Sequence, residues 1–523
     1  MSLTHDVPHP YPLRTRSTDD PAVVAEQRAD DYGNHVVPLT ARVGRWRLTM
    51  SYWSLLSAMV WLFYGALAAS LYGSTDALIA IGISVVTFSL MASLFTRWSL
   101  RSGLNSTLLS RRMFGVFGAS LTALLIAATT TYYAVFESST LAVAFQHYTP
   151  SWDIRIWYAI VVAAMLPLMF GGVQTWMARL NAVLLPLYAV GIVAAVIAAA
   201  VRFSAASDWT SFSGVVPSEA RPLPGWLLAS VLYMGCYLNI LMNVDFGRLA
   251  KKADEGFHRH VTFGWVFYVI LYGVNGTVGI FLVRAAIPDQ PAAETGVVQA
   301  VLASLGVAGL ILIVASQARI NSLNYYQSSA NWGRLISNLF GVRVRRIPLV
   351  VISTAVVFLL MLTDVFSYLQ SALTWQGVFV VSWVGVLLTH YALVPEDRAH
   401  GPEFRALRLP RVTWGLAVWL FASAVGIYLV EAPGVPAALS GTAQLVVLVI
   451  SVVLYGAVVL ARRSAVRTGA DPREEVADPA AVWAECHRCA KAYVVTEMDR
   501  DTAAGGAPVC DECATASLLP GHA

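Results

Sequence analysis

Charge is scarce in this chain of 523 residues: 13% are Asp, Glu, Lys or Arg, 57% are hydrophobic, and the mean hydropathy is +0.62. A soluble domain carries about 25% charged residues, so the composition excludes a water-solvated globular protein and indicates a membrane protein. Lysine is confined to Lys251, Lys252 and Lys491, and the net charge is only +4, which gives no basic footprint for nucleic acid. Four of the five cysteines lie in the last forty residues or so, leaving Cys236 alone in the apolar part, where it reads as a small packing residue. The N-terminus lacks the basic, apolar, small-residue order of a cleavable signal, so the first apolar stretch is expected to direct insertion. No His pair or Asp pair lies inside the apolar stretches, which argues against an enzyme embedded in the bilayer.

What the chain does have is a succession of apolar runs of about twenty residues, the length needed to cross a hydrocarbon core of about 30 Å. About twelve are legible, near 48–72, 76–95, 116–145, 156–176, 181–203, 224–244, 261–284, 297–326, 347–366, 369–394, 414–432 and 442–462. With the N-terminus in the cytoplasm, about 26 of the 35 basic residues fall in inner loops and membrane-proximal tails; Arg155, Arg202, Arg221 and Arg284 fall outside. That bias predicts a multi-pass protein of the cell (inner) membrane with both termini cytoplasmic. The chain divides into a solvated N-terminal arm (1–45), a membrane domain (46–463), a linker (464–484), a cysteine module (485–515) and a short tail (516–523). If spans one to five and six to ten are inverted repeats, spans one and six correspond, as do three and eight, and a site is expected where these four meet near the midplane.

Polar residues inside spans carry the functional expectation, because each is costly unless it faces a cavity or a partner. In span three, Glu137 lies in "TYYAVFESSTLAVAF", about 13 Å below the outer end at 1.5 Å per residue. It must be protonated, paired with a cation or hydrated, and Arg319 of span eight is a conceivable partner. Tyr133 shares the Glu137 face at i, i+4, and an aromatic ring beside an acid suits a flat hydrogen-bonding ligand; a structural helix–helix hydrogen bond is the plainer alternative. Span six carries Gly235, either a backbone break exposing a carbonyl or a close-packing glycine, and ends in Asn243, Asp245 and Arg248, with Asp245 and Arg248 spaced as an i, i+3 ion pair. Span eight is polar along its second half through Ser316, Gln317, Arg319, Asn321 and Asn324, with Arg319 either facing the bundle interior or snorkelling to the inner surface.

In the tail, Cys486-x-x-Cys489 and Cys510-x-x-Cys513 are separated by twenty residues and match a four-thiolate zinc site. Reducing cytoplasm favours metal over disulfides, and four thiolates leave no open position, so Zn²⁺ here is expected to be structural, in a zinc-ribbon-like fold. Whether the module has a cytoplasmic partner is not legible, and His487 reads as a bystander.

"DDYGNHVVP" (31–38 with the preceding Asp30), "SRRMFGVFGASL" (110–121), "NVDFGRLA" (243–250) and "SQARINSLNYYQSS" (316–329) together resemble the nucleobase:cation symporter-1 family, the purine-cytosine permease and allantoin/hydantoin transporter group. The resemblance extends over residues 31–463. It implies an all-α, leucine-transporter-type fold of two inverted five-helix repeats plus two helices, moving a planar heterocycle by alternating access. It also implies that Tyr133, or Tyr132 if the register slips, stacks on the ligand with Tyr233 or Tyr237, and that Glu137 with Asn324 or Asn321 anchors it, Gly235 lying at the span-six break. Glu137 stands where members often have Gln, and Tyr where Trp is common. Sodium-coupled members use span-one carbonyls and span-eight hydroxyls, here near Ser316; Arg319 close by would repel Na⁺ by several kcal/mol at an effective dielectric near 20. H⁺ carried by Glu137 is therefore favoured over Na⁺ as coupling ion, with Arg319, Ser316 and Asp245 as coupling or gating residues. The alternative is a membrane-embedded ligand sensor that uses the same pocket and a zinc-bearing tail.

Overall fold

The computed structural model describes residues 11–169, 178–203, 207–288, 294–342, 344–363, 369–461 and 466–519. The far ends of the expected spans at 156–176, 347–366 and 442–462, residues 1–10 of the arm, 464–465 of the linker and 520–523 of the tail lie outside them.

Each apolar stretch forms helix. Span 1 is two pieces, Arg45–Ser57 and Met59–Tyr72, bent by 43°. Spans 2 to 6 follow as Ser74–Ser102, Ser120–Gln146, Ile154–Met169, Ala178–Arg202 and Gly225–Gly247. Spans 7 to 12 are Lys252–Ala286, Val307–Phe340, Arg346–Met361, Leu369–Leu393, Trp414–Glu431 and Ala443–Leu460. Among the described residues, eight helices are long and apolar enough to cross a membrane, or nine with bent span 1. Span 3 has the length, 27 residues, but its run of threonines and tyrosines and Glu137 keep it outside that apolar set. The protein is thus a multi-pass helical membrane protein, and the count of twelve crossings is an expectation beyond what length and composition establish.

The central pairing is span 3 against span 8, two stretches the inverted-repeat expectation makes equivalent. The polar face of span 8 is wholly buried, Ser316, Gln317, Arg319, Asn321 and Asn324 alike, against spans 1, 3 and 5. Helices that lack a hydrophobic drive to associate in lipid pack through small residues instead. The second half of span 1 meets span 7 this way, since a Cβ on Gly65 would lie 2.1 Å from the Gly276 carbonyl oxygen. Span 10 meets span 6 similarly, where a Cβ on Gly377 would lie 2.9 Å from the Gly235 Cα.

The arm is solvated only in part: most of residues 11–31 are exposed or half-buried, as the sequence suggests, whereas 32–38 and 41–43 are buried. Thr15–Arg16 (β1) pairs antiparallel with Trp483–Glu485 (β2), which pairs with Ala492–Val494 (β3), so the two ends of the chain share one sheet. Met498–Asp501 (β4) and Ala507–Cys510 (β5) form a second, two-stranded sheet. The reason for the difference is polar pairing: Tyr32, His35 and Arg42 look like loop residues in sequence, but all three are buried, each with partners on the membrane domain or the module. A second hydrophobic core beneath the module joins Val23 of the arm, Val116 before span 3, Ala406 and Leu409 before span 11, and Tyr493, Met498 and Val509.

Candidate functional site

The break in span 1 organises the site. Residues Trp53–Ser57 tighten into a 3-10 turn, Ala58 leaves helical geometry at ψ 131°, and a fresh helix starts at Met59. A new helix start exposes backbone N–H groups that no earlier turn can satisfy, and it favours an anion. Glu137 of span 3, 1% exposed, lies at that start, with the Met59 and Val60 N–H groups and the Gln317 amide near its carboxylate. Arg319 is not its partner, because the guanidinium bonds to Asn181 and the Trp53 carbonyl.

Around the carboxylate is a set of buried polar atoms with no protein partner. They include Glu137 Oε2, both amide atoms of the neighbouring Gln317, Gln376 Oε1 and Asn321 Oδ1. Buried polar atoms are satisfied in over about 90% of cases, so several orphans on converging helices mark a place for a polar ligand. Gln376 of span 10 donates from Nε2 to the Tyr133 hydroxyl at 2.6 Å and to the Gly235 carbonyl at 3.2 Å, tying spans 3, 6 and 10 together. Residues Gly235–Tyr237 form a 3-10 turn within a continuous helix, so Gly235 both frees a carbonyl and permits the close approach of Gly377. Tyr132 and Tyr133 keep partial exposure despite this central position.

The two span-six tyrosines go elsewhere. Tyr233 is wholly buried with its ring 5.8 Å from Tyr64 and 5.3 Å from Tyr272, and its hydroxyl has no partner. Tyr237 packs edge-on to Phe88 of span 2 at 4.8 Å. Asn321 reaches the Glu137 neighbourhood through Ser138, its Nδ2 lying 3.2 Å from the Ser138 Oγ. Asn324, one turn further on, is buried with both amide atoms unpaired.

Arg319 faces the interior and does not snorkel. Its Nη2 donates to the Trp53 carbonyl at 2.7 Å, its Nε donates to Asn181 Oδ1 at 3.2 Å, and its guanidinium lies 6.0 Å from the Tyr188 ring. Other carbonyls of the span-1 break are also taken: Leu55 by Trp61 Nε1 at 2.6 Å, Leu56 by Asn275 Nδ2 at 2.6 Å, and Ser57 by the Ser316 hydroxyl. Asp245 lies apart, on the face that bears the module. Its carboxylate accepts from Ser106 Oγ at 2.6 Å and Arg334 Nη1 at 2.9 Å, whereas Arg248 donates to the Asp245 backbone carbonyl at 3.0 Å. The i, i+3 ion pair read from the sequence is thus replaced by a pair between spans 6 and 8, because a buried carboxylate is better held by two interior partners.

In the module, one ligand atom from each of Cys486, Cys489, Cys510 and Cys513 lies within 4.8 Å of the others. Tetrahedral zinc needs sulfurs about 3.8 Å apart at a Zn–S distance of about 2.3 Å, so the donor set and spacing fit a metal ion. The first knuckle is shaped by Ala490, at φ 55°, whose N–H returns to the Cys486 carbonyl at 2.9 Å. His487 turns away to Asp501, Nε2 to Oδ2 3.1 Å.

Sequence reasoning missed two contributors. Gln376 was discoverable as a lone amide in "LTWQGVFVV", next to a glycine. The Met59 and Val60 N–H groups were not, since backbone donors carry no side-chain signature.

By sequence, no protein-family model and no curated protein matches the chain. Solved structures do. Mhp1, a nucleobase-cation-symport-1 family transporter, superposes in a closed conformation with bromovinylhydantoin bound at TM-score 0.61 and 15% identity, over 81% of this chain and 94% of that one. Its inward-facing conformation gives TM-score 0.62 and 17% identity over 84% and 96%. A Na⁺-coupled sialic acid symporter in a substrate-bound outward-open state gives 0.57 and 11% over 83% and 95%. The membrane domain of this chain therefore has the leucine-transporter-type fold of the nucleobase-cation-symport-1 transporter Mhp1.

Proposed function

We propose that the protein is a secondary active transporter that imports a nucleobase or related planar heterocycle across the cell membrane by alternating access. The observation that carries this reading is the buried carboxylate of Glu137, with Oε2 unpaired, among the unpaired amide atoms of Gln317, Gln376 and Asn321, beside Tyr133. Heterocycles with ring N–H and C=O groups offer what these atoms need, and a tyrosine ring offers a stacking face. Likeness of fold to Mhp1, whose bound ligand is a hydantoin, supports the ligand class by analogy.

Proton coupling through Glu137 is the preferred ion mechanism. Every break carbonyl from Trp53 to Ser57 already accepts from a protein donor, Ser54 included through Ser57 Oγ at 3.0 Å, and one donor is the Arg319 guanidinium. A sodium ion would have to displace these donors and sit beside a fixed positive charge. The positive-inside bias supports cytoplasmic termini, and Zn²⁺ held by the four cysteines would then be structural. Uptake of radiolabelled nucleobases and hydantoins into proteoliposomes, with an imposed pH gradient, tests the proposal. Accumulation against the gradient is expected; saturable binding with no uptake would leave the sensor reading instead.

A further inference from the structure

The cysteine module is not hung on the transporter by a linker; it is built from both ends of the chain and stitched to the moving parts. β1 of the arm completes its sheet. His35 lies in the middle of the joint, its Nδ1 3.0 Å from Glu497 Oε1 of the module, its ring stacked 5.2 Å from Tyr493, and its Nε2 3.5 Å from Glu512. The next residue adds the Val36 N–H to Glu497 Oε2 at 3.1 Å. Glu497 is wholly buried, so its charge has nowhere else to go.

On its other side the same stretch of arm grips the membrane helices. Arg248, at the end of span 6, donates to the Tyr32 carbonyl at 2.8 Å and the Asp31 carbonyl at 2.7 Å. That turn holds Asp31 and Tyr32 at φ 50° and 52°, a conformation side chains other than glycine adopt only when their surroundings impose it. Tyr326 of span 8 donates to the Asp31 carboxylate, and Asn34 Nδ2 reaches Ser337 of span 8 at 3.0 Å. Arg42 and Val43 bond to Ala250 and Leu249 after span 6 at 3.1 and 2.9 Å. Two residues later the first half of span 1 begins, and it ends at the bend before Met59.

The metal ligands connect to this assembly directly. Asp511 follows Cys510 and opens the helix that carries Cys513; its carboxylate holds Arg111 of the helix Ser106–Phe114 at 2.6 Å and the N–H of Ala406, which opens a 3-10 turn before span 11, at 2.8 Å. Because the Cys510–Cys513 knuckle sets where Asp511 points, and β2 and β3 flank the Cys486–Cys489 knuckle, the metal would fix the module's own contacts, to Arg111 and Ala406 on one side and to the arm on the other.

We propose that the four-cysteine module is a metal-dependent latch on the inner gate: loaded with metal, it clamps residues 31–43, and through them the first half of span 1, against spans 6 and 8. Loss of the metal frees the arm and lets that half-helix swing about the bend, so that metal occupancy adjusts how often the module-bearing side opens. The word gate rests on the transporter reading; the latch itself is a statement about local opening and is measured without transport.

The test is hydrogen–deuterium exchange on the purified full chain, zinc-loaded and chelator-stripped, with zinc content checked by elemental analysis. Stripping is expected to raise exchange at least tenfold in residues 31–57 as well as in the module, to leave spans 3 and 8 unchanged, and to be reversed by added Zn²⁺. Glu497→Gln, which keeps all four thiols, is expected to retain zinc yet raise exchange in 31–57. Exchange that rises only within the module, or equally throughout the chain, would overturn the latch: the first makes the module an appendage, the second makes zinc a general support. If the expected pattern appears but the proteoliposomes take up no heterocycle, the transport reading falls and the latch stands.

Discussion

Arg319 Nη2 and the Trp53 carbonyl lie 2.7 Å apart, so a side chain of span 8 holds the bent segment of span 1 with a permanent cation. Uptake is accordingly expected to be unchanged when external Na⁺ is replaced by K⁺ or choline. Arg319→Ala leaves the Trp53 carbonyl and Asn181 Oδ1 without their donor, at about 1–3 kcal/mol per buried unpaired group, and should lower the melting temperature of the purified protein. Sodium-dependent uptake by the wild type would refute the argument.

Glu137→Gln keeps the size of the side chain and an oxygen that can accept a hydrogen bond, but removes the titrating proton. The variant is expected to bind ligand and to lose the dependence of uptake on the pH gradient. Parallel pH profiles for variant and wild type would exclude Glu137 as the proton carrier.

Gln376→Leu removes the donor shared by Tyr133 and the Gly235 carbonyl. Losing a hydrogen bond that positions a ligand-facing ring is worth about 1–2 kcal/mol, so affinity for the heterocycle should fall by about five- to thirty-fold, read by ligand-dependent thermal shift. Tyr133→Phe should reproduce part of the loss, because it removes the other end of the same bond.

Gly377→Ala would place a methyl 2.9 Å from the Gly235 Cα, where backbone and not a flexible side chain must yield. Overpacking of this kind costs about 1–3 kcal/mol. Reduced thermal stability together with weakened ligand binding is expected, since spans 6 and 10 must part at the site itself.

The hold of the linker on the loop before span 11 should fail in acid. Burial pushes the Glu403 carboxyl up, but Arg405 and Arg473 outweigh it and hold it at about 2; Asp471, likewise buried and bonded to Arg405, is also held at about 2. Both folded values lie below the ordinary ones of 4.5 and 3.8, so the stabilisation is present above about pH 4.5 and is lost as pH falls toward about 2. Hydrogen exchange in residues 466–475 should rise through that window and be insensitive to pH between about 6 and 8. Arg405→Gln should abolish the transition by exposing the segment at all pH values.

How much of this was legible beforehand follows from what kind of interaction each feature uses. The apolar runs gave the helices, because bilayer thickness dictates their length and lipid tolerates little else. Glu137 stood out because a charge in such a run needs an explanation, and the four cysteines because only a few chemistries use two Cys-x-x-Cys knuckles. The partners of these groups were not legible. Glu137 lies beside backbone N–H groups some eighty residues earlier in the chain, Asp245 is held by Arg334 and not Arg248, and Arg319 by an asparagine and a carbonyl. Sequence spacing can propose a pair only within one helix, where i, i+3 and i, i+4 neighbours are fixed by geometry.

By itself, then, the sequence determined that this chain crosses a membrane many times, which few polar residues sit inside it, and that its tail carries a metal-type thiol set. Tertiary structure alone decided that span 1 breaks opposite Glu137, that Gln376 joins three helices there, and that the two chain ends close into one sheet over the same face. The physical reason is that hydrophobic length is a local property of the chain, whereas the satisfaction of a buried polar atom depends on whatever the fold brings within about 3 Å of it.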